Sequence, residues 1–333
     1  MAEPNLSVAS GAIRKADSSP RNRSVRAARP NRMMSYPSDG RRSALAVASL
    51  ALLALVSGCA QPSPAVRGSG AGPSSGAGPG PGTYAPDDLV LRVELVHGFM
   101  REYFVAHLPI VSVYGDGRVI TEGPATAISP YPALPDVRVR RITSAGVDAL
   151  VVRALERGVG RDLDFGRVEV YDAPGTKFTV LTDSGQLVTD VYALDSTDDS
   201  RNLTDAQRSA RRALQDLIAD LTDLPTTLGA DSGEEVPYVP EAMVAISRPW
   251  TEPGSMDQPA QPERVWPGPV LPGDPMGMLP EIRCVTVTGA EVTAVVEAAE
   301  TANALTPWTS GGHRWTVDLR PLLPDENSCA HVT

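Results

Sequence analysis

The sequence predicts an α+β fold, an antiparallel sheet of hairpins covered on one face by helices, plus a small C-terminal β-α-β unit. Three observations predict it. Short apolar runs are joined by Asp-Gly and Asp-Ser-Gly turns, the signature of hairpins. Each set of runs is followed by a stretch whose apolar residues recur at helical spacing. Near the C-terminus a strand, a helix and a strand follow in that order.

Residues 88–96 read as the first strand and 108–114 as the second. Gly115-Asp116-Gly117 turns the chain into a third strand over 118–121, and 137–142 forms a fourth. Ser144 then caps a helix in which Val147, Leu150, Val151, Ala154 and Leu155 share one face, and Gly158 supplies the stop. The grammar repeats without a sequence repeat strong enough to indicate duplication. Residues 177–182 and 186–194 flank the turn Asp183-Ser184-Gly185. Thr204-Asp205-Ala206-Gln207 is a capping box, opening a helix striped by Ala206, Ala210, Leu214, Leu217, Ile218 and Leu221 and ended by Pro225. Residues 87–225 are therefore expected to form one α+β domain.

Residues 226–280 are rich in Pro and Gly and contain Trp250 and Trp266. The stretch 267–275 suits neither a helix nor a central strand, so this segment reads as an extended connector lying over the sheet. Residues 281–333 form the β-α-β unit. Its parts are a strand at 283–287, a helix opened by a Thr288-Gly289-Ala290-Glu291 capping box and striped by Val292, Val295, Val296 and Ala299, and a strand at 315–319. The unit is too small to stand alone and should pack on the first segment.

Hydrophobic residues make up 42% of the 333, enough for a sizeable core, while aromatics make up only 5%. The core should therefore be built of Val, Leu, Ile and Ala. Charge is uneven: residues 1–58 carry nine basic and three acidic side chains, and the remainder carries 21 basic against 37 acidic. An acidic domain repels nucleic acid, so no nucleic-acid partner is expected, and the basic stretch reads as the flank of an export signal. Lys15 and Lys177 are the only lysines. Arg in place of Lys, with abundant Ala, Gly and Pro, fits a high-GC genome, for which actinobacteria are the obvious candidates.

Arg41-Arg42 precede an apolar run over 44–56 that is interrupted only by Ser49. About 7–15 apolar residues make a signal peptide, whereas a spanning helix needs about 20. The small residues Ser57 and Gly58 then let an extended backbone reach a processing site at Cys59. Leu55-Val56-Ser57-Gly58-Cys59 resembles the lipobox of bacterial lipoproteins. The resemblance covers residues 41–59. It implies that 1–58 is an N-terminal extension and signal peptide, and that Cys59 becomes the first mature residue with diacylglycerol on its thiol. The lipid bilayer is then the first partner, and the cell membrane, on its extracytoplasmic face, the location. Met33 or Met34 would give a signal of ordinary length. Arg41-Arg42-Ser43-Ala44-Leu45 loosely resembles a twin-arginine signal, although the general secretory route needs only the charge. Residues 59–86 add a Gly/Pro/Ser tether with too little apolar surface to offset its ordering entropy. Within it, Gly72-Pro73-Ser74-Ser75-Gly76 formally matches a nucleophile elbow but lacks the strand and helix that motif requires.

With Cys59 lipidated, Cys284 and Cys329 remain. Outside the membrane they are expected to form a disulfide, with a reactive thiol or a metal ligand as alternatives. The four histidines, His97, His107, His313 and His331, match no zinc spacing, and phosphate-binding loops are missing, so no metal or cofactor is expected. Asp162, Asp164 and Asp172 lie near Gly166 without meeting the calcium-loop pattern, and read as a solvated loop. The candidate binding loop is 306–315, which holds Trp308, Ser310, His313, Arg314 and Trp315 around Gly311-Gly312. An aromatic, basic loop suits a sugar, a peptide or a partner edge. The alternative is a hairpin-like turn whose tryptophans cover the core. Ser310 and His313 are a conceivable catalytic pair, with no carboxylate fixed by spacing.

The resulting expectation is a membrane-anchored lipoprotein with a non-catalytic binding or scaffold role toward an envelope protein or glycan. A cell-wall or ester hydrolase using the 306–315 loop, and an envelope protease inhibitor displaying a Pro-rich loop, are the alternatives.

Overall fold

The computed structural model describes residues 80–96, 106–124, 128–196, 202–252, 260–276 and 279–332. The expected signal segment, Cys59 and most of the expected tether lie outside the described residues. Those described form four helices and thirteen strands in two sheets, the α+β architecture expected, with helices over hairpins. Both sheets belong to one unit spanning Gly70–Thr333.

The first sheet contains β1 (Leu89–Val96), β2 (Val111–Tyr114), β3 (Arg118–Glu122), β4 (Val137–Ile142), β5 (Gly175–Thr182), β6 (Gly185–Tyr192) and β7 (Ser232–Pro237). Their order is β6-β5-β1-β2-β3-β4-β7, and every neighbouring pair is antiparallel. The β2–β3 turn needs glycine at Gly117. Its φ is +82°, and a Cβ there would stand 2.2 Å from the carbonyl oxygen of Ile142. Alternation along β1 sends Leu91 and Val93 to one face and Arg92 to the other.

The apolar face is covered by α1 (Ser144–Glu156), α2 (Asp205–Thr222) and α3 (Leu224–Leu228). Helix α1 is capped by Thr143 rather than Ser144: Thr143 holds extended backbone, and its Oγ1 accepts the Gly146 N–H at 3.0 Å. The capping box of α2 forms in both directions, Gln207 N–H to Thr204 Oγ1 at 3.2 Å and Thr204 N–H to Gln207 Oε1 at 2.7 Å. Leu214, Leu217 and Leu221 of α2 are fully buried, each worth about 1.5–3 kcal/mol. Arg153 of α1 and Arg157 at its C-cap clasp Asp216 and Asp220 of α2 at 3.0–3.1 Å.

The second sheet contains β8 (Ala242–Pro249), β9 (Arg264–Val265), β10 (Asp274–Met276), β11 (Leu279–Thr288), β12 (Trp308–Ser310) and β13 (His313–Pro321), in the order β10-β11-β8-β13-β12-β9. Strands β11 and β13 both run antiparallel to β8, so they are parallel to each other. Helix α4 (Ala290–Ala299) connects them. The expected β-α-β unit is therefore present but split by β8. Met243 and Ala245 of β8 face α4, while Val244 and Ile246 face the C-terminal segment.

Two further expectations are corrected. Residues 226–280 are not merely a connector: they supply β7, the last strand of the first sheet, and β8, the centre of the second. The passage between sheets follows Tyr238, whose N–H still donates to the Val137 carbonyl of β4 at 2.9 Å. The second correction is at α4, whose N-cap is Gly289 at φ 61° with no side-chain cap bond. Thr288 ends β11, still paired to Ala242, so the anticipated capping box is not made.

Candidate functional site

The 306–315 segment folds as a hairpin between β12 and β13, with Trp308 opposite Trp315, Thr309 opposite Arg314 and Ser310 opposite His313. Gly311 and Gly312 both have positive φ, 60° and 78°, which a two-residue hairpin turn of this hand requires. Trp308 is 1% exposed and meets Trp266 edge-on, ring centroids 5.6 Å apart. The Trp315 Nε1–H donates to the Ser310 carbonyl at 3.2 Å, and Ser310 Oγ accepts the Leu271 N–H at 3.1 Å. His313 is exposed, with its ring 6.2 Å from that of Trp315. Arg314 lies 4.4 Å over the Trp250 ring and pairs with Glu263 at 3.3 Å. The structure thus brings all five residues into one hairpin. Trp308 is committed to the core, and Ser310 is tied to Leu271 rather than to His313.

Cys284 of β11 and Cys329 are joined, sulfur to sulfur at 2.03 Å, which ties the C-terminal segment to the second sheet. The same segment is pinned to the first sheet by charge. Asp325 Oδ1 accepts the Tyr114 hydroxyl at 2.6 Å and Arg92 Nη2 at 2.8 Å, and Arg92 Nε donates to Ser112 at 3.0 Å. Burial alone would raise the Asp325 carboxyl, but the Arg92 charge and the Tyr114 and Arg92 hydrogen bonds hold it below the ordinary range. Burial raises the Tyr114 hydroxyl, keeping it protonated as donor. Tyr238, whose hydroxyl donates to the Leu322 carbonyl at 2.9 Å, is pushed up to about 12 by burial. Sequence reasoning did not find this clamp. Its signal was Arg92, a charge in the middle of an apolar strand that holds only one other, Glu94.

A hollow of about 510 Å³ opens where residues 163–167 pass the end of β6. Phe165 and Tyr192 line it together with the charged Asp164, Arg167 and Asp190. Asp164 accepts the Gly166 N–H and Gln207 Nε2, each at 2.8 Å, and these bonds hold its carboxyl below the usual value. Arg167 stacks 6.0 Å over the Tyr192 ring. The Tyr192 hydroxyl donates to the Val170 carbonyl at 2.7 Å and accepts the Ala173 N–H at 3.3 Å. Arg211, 4% exposed, donates to the carbonyls of Tyr192, Ala193 and Phe165 and makes no ion pair among the described residues. Burial lowers its pKa, with Asp195 opposing in part. Ala193 is held at φ 48°, a conformation rare for a residue with a Cβ. The sequence reading took Asp164 for part of a solvated loop. The loop is indeed exposed at Asp162 and Asp164, but Asp164 is also fixed onto the start of α2.

Among the described residues no group of His, Cys, Asp and Glu could hold a metal ion, and no helix is long and apolar enough to cross a membrane. Comparison with known protein families, with curated proteins and with solved structures finds no match.

Proposed function

We propose that this chain is an exported lipoprotein, cut before Cys59 and held on the extracytoplasmic face of the cell membrane by diacylglycerol on that cysteine. The folded domain then serves as a non-catalytic binding or scaffold module toward an envelope protein or glycan. The observation that carries this reading is how the three cysteines are used. Cys284 and Cys329 are joined to each other, and disulfides persist in oxidising compartments outside the cytoplasm. The third cysteine is Cys59, which directly follows the apolar run and its small residues. A diacyl anchor supports stable attachment, because each buried methylene adds about 0.8 kcal/mol and two chains hold where one is marginal. Two surface features, the Trp250–Arg314 stack and the exposed His313 edge beside Trp315, support a binding role. Cell fractionation tests the anchor. Wild type should sediment with membranes and Cys59→Ser should appear in the soluble or secreted fraction, whereas unchanged membrane association of the variant contradicts the proposal.

A further inference from the structure

We infer that the outer edge of β6 is a dimerisation edge, on which β6 of a second copy of this chain pairs antiparallel across a two-fold axis at Val188. The inference uses only described residues and stands apart from the lipid on Cys59. The other sheet edges are protected. Strands β9 and β10 are two and three residues long, and β10 holds Pro275. Strand β7 carries Glu234, Glu235 and Pro237 and meets β4 with a bulge. Shortness, charge, proline and bulges are the features that keep sheet edges from pairing. Strand β6 lacks them: it is eight residues long, has no proline and no break in register, and holds a single charge, Asp190.

The register shows which backbone groups are free. The Ala193 N–H donates to the Pro174 carbonyl at the end of the β5–β6 ladder, so residues 187, 189 and 191 turn their backbone groups to β5, and those of Gln186, Val188 and Asp190 point outward. The Tyr192 carbonyl, next in that outward row, is taken by Arg211. Among the described residues no backbone hydrogen bond reaches Gln186 or Val188 from the outer side. Both side chains are exposed, Val188 by 50%.

A second copy fits because β6 is complementary to itself in one register. With the axis at Val188, the two Val188 side chains meet, and each Gln186 lies across from Asp190 of the other copy, its amide donating to the carboxylate. Gln186, Val188 and Asp190 of each copy then exchange both backbone bonds with their partners. An axis at Thr189 would set Val188 against Asp190, and one at Asp190 would set two carboxylates against each other. In the favoured register the Asp183-Ser184 turn of the second copy falls beside Tyr192, where residues 163–167 and β6 leave the open hollow.

The test is sedimentation equilibrium of the purified full chain at up to about 300 µM, in about 0.5 M salt to screen the repulsion between two acidic domains. Wild type should dimerise with a Kd of about 100 µM or tighter, as suits a small interface. Val188→Lys and Val188→Glu each put like charges across the axis, and each should weaken association by about tenfold or more. An equimolar mixture of the two should restore it. Val236→Lys, on the exposed face of β7, should associate as wild type does. A wild type that stays monomeric overturns the inference and leaves the edge to a strand from another protein. Association that the charge variants leave intact overturns it too, as does association that Val236→Lys abolishes or a mixture no better than either variant alone. If one charge variant fails to fold, as judged by its thermal melt, the other decides alone.

Discussion

Arg320 and Glu326 face each other as a two-pronged ion pair, Nη1 to Oε2 at 2.7 Å and Nη2 to Oε1 at 2.9 Å, with each side chain 4% exposed. Burying two charges is costly unless their remaining bonding capacity is met. Here the Leu323 N–H also donates to Glu326 Oε2 at 2.9 Å, and Arg320 Nε donates to the His107 carbonyl at 3.2 Å. Removing one partner strands the other. Glu326→Ala is expected to cost about 3–5 kcal/mol in urea unfolding, and the joint replacement Arg320→Met with Glu326→Leu much less. A loss in Glu326→Ala no larger than the roughly 1 kcal/mol of a surface pair would contradict this assignment.

Asp325 should make stability depend on acid. Its carboxyl lies below its ordinary value in the folded protein, so the unfolded chain takes up the proton first. The stabilisation is complete above the unfolded value of about 3.9 and is lost as pH falls through the folded one. Asp325→Asn should be less stable than wild type at neutral pH, and its stability should fall less steeply below about pH 4. Parallel acid profiles for the two proteins would show that Asp325 is not the group responsible.

Helix capping gives a paired prediction. Thr204→Ala removes the oxygen that accepts the Gln207 N–H and should cost about 1 kcal/mol. Thr288→Ala, at the start of α4, should change stability by less than about 0.5 kcal/mol, because no side chain caps that helix. Equal losses, measured by chemical denaturation, would mean that a Thr288 cap forms in solution.

Local signals of short range were legible in the sequence. The hairpin at Asp183-Ser184, the α2 capping box and the stripes on α1 and α4 depend on neighbours within a few residues, and the chain forms them; on α2 the stripe holds at Leu214, Leu217 and Leu221, while Ala206 is exposed and Arg211 is buried instead. The pairing of Cys284 with Cys329 was legible for a different reason, since assigning one of three cysteines to lipid leaves a single pair. What was not legible depends on distant partners. The apolar run of β8 was masked by flanking prolines, so its place at the centre of the second sheet did not show. Arg92 and Asp325 are 233 residues apart, and no local pattern links them. The hollow beside β6 combines two segments whose approach is set by Arg211 and Tyr192 across the domain.

The disulfide closes a separation of 45 residues. In the chain-entropy account a loop of that length contributes about 4 kcal/mol, less any native strain. Cys284→Ser with Cys329→Ser should lower the urea midpoint accordingly, and reductant should do the same to wild type but not to the variant. Two free thiols at these positions in peptide maps of the purified native protein would contradict the pairing.

The central claim is the lipid on Cys59, and intact-mass analysis of the protein purified from its own cell membranes tests it most directly. The expected result is a chain beginning at Cys59 whose mass exceeds that of residues 59–333 by a diacylglyceryl group. A chain that retains residues preceding Cys59, or an unmodified thiol there, would contradict it.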